Sequence, residues 1–165
     1  MTRLLGIDLG ERRIGVAIAD DEGAFARPLS TLKRAASVDL DAANLSMLIA
    51  AHQIDGLVVG LPLEASGAEG PQSTITRTWA GAVAERIGVL LTFRDERLTS
   101  HVAEERLGPM KRGRSGGPPS KTQRDAYRAR VDREAAAIIL QDELDARARI
   151  GTAGGPAATR PVSGG

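Results

Sequence analysis

Short apolar runs separated by polar turns occupy the first third of the chain, and helical spacing of apolar residues takes over only afterwards. Residues 3–9, RLLGIDL, read as a strand, GERR as a polar turn and residues 14–19, IGVAIA, as a second strand, so the two form a hairpin. DDEG is a further turn, followed by a third strand over about 24–32. Pro28 has no N–H to give to a ladder, which places that strand at a sheet edge. Ser37 stands where it can cap a helix over 38–53, in which Val38, Leu45, Leu48 and Ile49 recur at helical spacing. DGLVVGLP is a short, wholly apolar strand of the kind buried in parallel sheets. A helix over about 72–87 stops at Gly88, and VLLTFR is a fifth strand. A short helix over about 100–107 follows Thr99 as its cap, and a last helix covers about 126–148.

The order β-β-β-α-β-α-β-α-α is an antiparallel meander leading into two βα crossovers, which return right-handed to parallel strands. The expected fold is therefore α/β: a mixed five-stranded sheet, order 3-2-1-4-5, with helices on both faces. A chain of 165 residues suits one domain, here residues 1–149. The remainder, 150–165, is a Gly/Pro-rich tail without apolar periodicity that is expected to be disordered.

Charge adds a partner to this picture. The formal net charge is +1, yet residues 111–133 hold eight basic side chains against Asp125 and Asp132, a local +6 that leaves −5 on the rest. A basic segment on an acidic body suggests a polyanion, and nucleic acid is the obvious class; a solvated arginine-rich loop and helix start is the alternative. The chain has no cysteine, which excludes disulfides, thiolate zinc sites and a cysteine nucleophile. With His52 and His101 as the two histidines, any bound metal is expected to be hard and oxygen-liganded, magnesium or manganese. No apolar stretch approaches membrane-spanning length, so cytoplasmic residence and no membrane partner are expected.

Three acidic positions sit awkwardly in the pattern. Asp8 lies in an apolar strand, where a carboxylate costs several kcal/mol unless paired; capping a turn is the plain alternative. Asp95 and Glu96 stand side by side after the fifth strand, and since successive strand residues point to opposite faces, at most one shares Asp8's face. Asp132 lies at i, i+4, i+7 with Ala136 and Ile139 on an apolar helix face, which is a misplaced carboxylate for a purely structural helix. With the first strand central, carboxylates from the first strand, the fifth strand and the last helix can converge. Oxygen ligands from three elements are what two divalent cations about 4 Å apart need in phosphodiester hydrolysis.

The pieces GIDLGxxxIGVA, ARPL, VVGLPL, DERLTS and VDxxAAxxIL, in that order over roughly residues 3–145, resemble the YqgF family, also called RuvX. The resemblance implies a ribonuclease H-like fold related to the RuvC Holliday-junction resolvases. It implies metal ligation, and so catalysis, by Asp8, Glu96 and Asp132, with Asp95 turned away. It also implies a nuclease that matures the 5′ end of pre-16S ribosomal RNA, with precursor rRNA or a pre-ribosomal particle as partner and a two-ion magnesium or manganese site. The basic segment, Lys111, Arg112, Arg114 and Lys121 with Arg128, Arg130 and Arg133 flanking Asp132, would hold the nucleic-acid backbone. Arg12 and Arg13 in the first hairpin turn would add phosphate contacts, and Arg97 and Thr99 would orient Glu96. Where many relatives approach the VD with lysines and a glycine, this chain has YRARVD, and its loop GPMKRGRSGGPPSKTQ is long and glycine-rich.

Other readings stand beside this one. Resolution of branched DNA is the rival within the enzyme class, and it would require a dimer; the oligomeric state, monomer or homodimer, is left open by the sequence. A non-catalytic RNA-binding factor using only the basic segment is the third reading. A sugar-kinase-like phosphotransferase, which also opens with such a hairpin, is rejected because the chain has no room for a second lobe. Gly6, Gly10 and Gly15 are expected to serve tight turning and close strand packing; Gly60 and Pro62 either let backbone approach a substrate, which the resemblance favours, or terminate a strand. Trp79 is expected in the core.

Overall fold

The computed structural model describes residues 2–153. Strands β1 (Leu4–Leu9), β2 (Arg13–Ala19) and β3 (Ala26–Lys33) form the antiparallel meander, and β4 (Gly56–Leu61) and β5 (Leu90–Asp95) extend it in parallel. The sheet order is β3-β2-β1-β4-β5, as expected. Pro28 does lie on an edge strand, opposite Ala17 and next to a register shift between Val16 and Ala17. Helices α1 (Val38–His52), α2 (Pro71–Ile87), α3 (Thr99–Leu107) and α4 (Lys121–Ala153) complete the chain.

Strand alternation gives the sheet two unlike faces. Leu5, Ile7, Ile14, Val16, Leu57 and Val59 point to α1 and α2 and pack against Leu45, Ile49, Trp79 and Val83. Asp41 is fully buried here, accepting from the Trp79 indole N–H at 3.0 Å and the Ala35 N–H at 2.7 Å, so its charge is met by donors from two other segments. The opposite face carries small residues, and α4 lies on it. A Cβ at Gly6 would stand 2.6 Å from the Ala136 carbonyl oxygen, and one at Gly15 would overlap the Asp132 carbonyl group. Gly6 and Gly15, expected to serve tight turning and close strand packing, therefore serve helix-on-sheet contact. Val58 and Ala17 pack with Ala136, Ile139 and Leu140 in the gaps. Farther along α4, the buried Glu143 is held by Arg147 at 2.9 Å and faces Arg94 of β5 at 3.6 Å. The short α3 docks on α4 through Ala103, Val131 and Ala135.

Several boundaries differ from expectation for local reasons. Ser37 caps α1, its hydroxyl accepting from the Leu40 N–H at 3.2 Å. Thr99 does not cap α3: the N-cap is Leu98, in the left-handed region at φ 63°, and Thr99 is the first helical residue. The last helix starts at Lys121 instead of 126, because Ser120 and Gln123 form a reciprocal capping box. The Gln123 N–H donates to the Ser120 hydroxyl at 3.2 Å, and the Ser120 N–H to the Gln123 side chain at 2.8 Å. At its other end α4 runs to Ala153, so residues 150–153 of the expected tail are helical; the rest of that tail, 154–165, lies outside the described residues. None of the helices in the described residues is long and apolar enough to cross a membrane.

Close seating of α4 predicts opposite signs for two Gly→Ala substitutions. Gly15→Ala is expected to lower the unfolding free energy by about 3 kcal/mol, since the obstacle is backbone and cannot turn away. Gly81→Ala, within α2 with nothing inside 4 Å of the new methyl, is expected to raise it by about 1 kcal/mol. Denaturant melts of the two variants check both.

Candidate active site

Asp8 lies one residue from the end of β1, directly opposite Gly15 of β2, and points to the α4 face. The next strand on its other side is β4, whose register with β1 pairs Ile7 with Val59 and so brings Gly60 alongside Asp8. Glu96 follows β5 and reaches Asp8 by crossing over Gly60. A Cβ on Gly60 would collide with the Glu96 carboxylate and with the Ile139 methyl, and would stand 3.0 Å from the Glu96 Cβ. Gly60 thus makes room for a side chain of this protein, where an approach of backbone to substrate was expected.

Burial pushes Asp8 up to about 6, helped by the negative charge of Asp132 and opposed by the hydrogen bond it accepts from Glu96. Burial also pushes Glu96 up to about 9, with the adjacent Asp8 charge, its hydrogen bond to Asp8 and the charge of Asp95 adding to it. The pair behaves as two carboxyls sharing a proton, because two neighbouring charges in a partly desolvated site cannot both be borne. Asp95 is turned outward and held below the usual carboxylate range by Arg97, whose Nε and backbone N–H donate to it at 2.8 and 2.9 Å.

Asp132 sits one turn before Ala136 on α4, its backbone pressed onto Gly15. Its carboxylate accepts from Arg13 Nε at 2.7 Å. Among the described residues no group of three or more His, Asp or Glu side chains is placed to hold an ion, and the Asp132 carboxylate, near enough to Asp8 to push its pKa up, is engaged by Arg13. The donor chemistry of the Asp8–Glu96 pair nonetheless fits a divalent cation. It offers oxygen only, it is half-buried, and its excess negative charge is relieved here by a proton alone.

The remaining expected site residues divide into free and committed groups. Arg128 lines a cleft of about 280 Å³ between α3 and α4 together with Arg13, Ser100, Glu104, Tyr127 and Asp132. Arg12, Lys111, Arg112, Arg114, Lys121 and Arg130 are exposed around this end of the sheet and the start of α4. Arg133 instead donates to the Thr31 hydroxyl at 3.3 Å, which ties α4 to β3. Arg97 does not touch Glu96: besides Asp95 it bonds the Ala65 carbonyl at 3.3 Å, strapping the segment after β4 to the end of β5. Thr99 meets Glu96 through backbone, its N–H donating to the Glu96 carbonyl at 3.1 Å. The Arg13–Asp132 pair was not foreseen, because the residues are 119 positions apart and nothing local marks them as partners.

A family model described as RuvX, Holliday junction resolvase, matches residues 2–146. The "Putative pre-16S rRNA nuclease" of Chloroflexus aggregans is 40% identical over 144 residues, 87% of this chain and 94% of that protein. A protein of the same name from Anaeromyxobacter dehalogenans strain 2CP-C is 40% identical over 146 residues, covering 88% and 98%. Among solved structures, T. thermophilus RuvC in complex with Holliday junction substrate superposes with a TM-score of 0.52 at 17% identity, over 90% of this chain and 97% of that one. Thermus thermophilus RuvC by itself gives 0.50 at 15% identity over the same shares. At such identities the likeness concerns the fold, which is the ribonuclease H-like fold of those resolvases.

The shared proton predicts an unusual pH dependence for the protein in chelator. Both carboxyls bind protons more tightly folded than unfolded, where their ordinary values are 3.8 and 4.5. The folded state therefore holds protons that unfolding releases, and stability falls as pH rises through about 6 and on towards about 9. Thermal melts between pH 5 and 9 are expected to decline for the wild type and to flatten in Glu96→Gln.

Proposed function

The chain belongs to the RuvX family, and from that membership we propose that it is a cation-dependent nuclease acting in 5′-end maturation of pre-16S ribosomal RNA in the cytoplasm. The observation that carries this reading is the meeting of Asp8 and Glu96, with Asp132 beside them, next to a basic cleft and the exposed cations of α4. A protein that merely bound RNA would gain nothing from acidic side chains massed against phosphates. The relatives named for pre-16S rRNA support the substrate.

In this reading Asp8 and Glu96 would hold the cation together with Asp132, which approaches them from α4. A divalent cation bound there supplies Lewis acidity to the phosphate and acidifies an attacking water. The chain's own residues supply the rest. Arg128 lies in the cleft where it can take a phosphate oxygen, and exposed Lys111, Arg112, Arg114, Lys121 and Arg130 extend a cationic track along the backbone of the nucleic acid. Asp95 and Arg97, bonded to each other and to Ala65, fix the bend from which Glu96 turns inward. To hold a cation Glu96 and Asp8 would have to give up their shared proton, so cation binding would tighten with rising pH.

Resolution of branched DNA is the second reading, favoured by the description of the family model and by the fold shared with the RuvC structures. Such resolution needs two copies to cut two strands symmetrically. Native mass measurement with parallel cleavage assays on precursor 16S rRNA and on a four-way DNA junction separates the two. Manganese-dependent cleavage of the precursor by a monomer is expected, and symmetric junction cleavage by a dimer would favour the second reading.

Asp8→Asn is expected to cut the manganese-dependent cleavage rate on the order of a thousandfold, several kcal/mol of lost cation chemistry. RNA affinity in the same variant, titrated by filter binding in chelator so that no cation contributes, should match that of the wild type. Cleavage at the wild-type rate by Asp8→Asn would remove the catalytic assignment.

A further inference from the structure

Arg13 opens β2, paired in register with Lys33, and its carbonyl accepts from the Gly10 N–H at 2.8 Å, so its backbone is fixed by the hairpin. Asp132 is equally fixed, because α4 rests on Gly15 at that residue. What can move are the two side chains, and they are joined by a charge-assisted bond of 2.7 Å between Nε and Oδ2. Both line the α3–α4 cleft and keep partial exposure, 26% for Arg13 and 21% for Asp132, so an anion in the cleft can reach the guanidinium. With Asp132 in that bond, no cluster of three acidic side chains able to hold an ion is formed among the described residues.

We propose that Arg13 is a positioning residue that makes placement of Asp132 depend on nucleic acid: a backbone phosphate entering the α3–α4 cleft takes the guanidinium, and Asp132, released, turns to Asp8 and Glu96. This rests on reading those three carboxylates as the cation site. An arginine fork serves a carboxylate or a phosphate with the same planar geometry, so the exchange replaces one charge-assisted bond by another. The anionic groups that compete for the guanidinium from the cleft are Asp132 and Glu104, and Arg128 shares the incoming phosphate. Nucleic acid and divalent cation then bind with positive coupling, reciprocal by necessity, and that coupling runs through Arg13. The nuclease is thereby kept from assembling its full carboxylate set until a substrate phosphate is in place.

The test is manganese affinity, read by electron paramagnetic resonance without any cleavage, in the presence and absence of a short phosphorothioate RNA. For the wild type, the RNA is expected to tighten manganese binding on the order of tenfold, within the usual range of coupling between sites. Arg13→Gln is expected to bind manganese about tenfold more tightly than wild type without RNA, and to gain little on adding it. Arg13→Lys, which keeps the charge and loses the planar fork, should fall between the two and serves as the reading if the glutamine variant does not fold. Equal or weaker manganese binding by the variants, or an equal gain from RNA in all of them, overturns the proposal. Asp8→Asn separates the failures. If wild-type manganese binding does not depend on Asp8, the cation-site reading itself falls; if it does and Arg13 has no effect, the coupling alone falls.

Discussion

The contact on which the rest of the structure depends is the direct seating of α4 on the glycine-bearing face of the sheet. Gly6 and Gly15 leave no side chain between strand and helix, so the helix backbone comes within touching distance of β1 and β2. That approach sets the height of Asp132 above the sheet and places it beside Asp8, since Gly15 is Asp8's cross-strand neighbour. It also determines what Gly60 must be. With Ile139 pressed down from α4 and Glu96 arriving from β5, a methyl group on β4 has no space. Most of the sheet's large aliphatics lie on the other face, packed against α1 and α2, while Leu4 and Val58 are the ones turned to α4. One face supplies bulk burial and the other supplies placement.

Placement of this kind concentrates negative charge. Three acidic residues from β1, the end of β5 and α4 approach one another in a partly desolvated region, and the protein meets the excess in two ways. Asp8 and Glu96 share a proton, and Asp132 takes Arg13. Both are charge-neutralising arrangements, and both can be displaced by species that bring opposite charge, a cation for the proton and a phosphate for the carboxylate. Buried like charges of this sort lower stability, which is the ordinary signature of a site held for chemistry. Asp41 is the contrast: fully buried, yet met by two donors, and structural.

Much of the fold was legible because its cues are local. The hairpin follows from alternation and a polar turn, the edge position of β3 from Pro28, the end of α2 from Gly88, and the cap of α1 from Ser37. Asp132 was legible as an anomaly, a carboxylate in an otherwise apolar helical stripe, and Asp95 and Glu96 divide as strand alternation requires. The start of α4 was legible too, in the Ser120–Gln123 spacing, but the run GRSGGPPSK masked it. What could not be read are contacts made across the fold. Arg97 as a strap to Ala65, Arg133 on Thr31 and Arg13 on Asp132 each join residues far apart in sequence. The spatial meaning of Gly6, Gly15 and Gly60 was hidden for the same reason, since a glycine in a strand does not say which element comes down on it.

The family model described for Holliday junctions and the relatives named for pre-16S rRNA point at different nucleic acids, and the molecule's own surface bears on why both are compatible with one centre. On the reading proposed above, the carboxylates would act on a phosphodiester, a group RNA and DNA share, so the centre would carry no information about the polymer. Discrimination must lie in what borders the centre: the loop after α3, the first turns of α4 and the cleft holding Arg128. These are also the parts richest in arginine and glycine, with YRAR ahead of the VD and a long glycine-rich basic loop before it. Phosphate contacts from exposed arginines position a backbone without reading it. With aromatic residues at 2% of the chain, there is little means to stack on splayed bases. Selection by the shape of a folded nucleic acid, by groove width and phosphate spacing, is what such a surface is equipped to do.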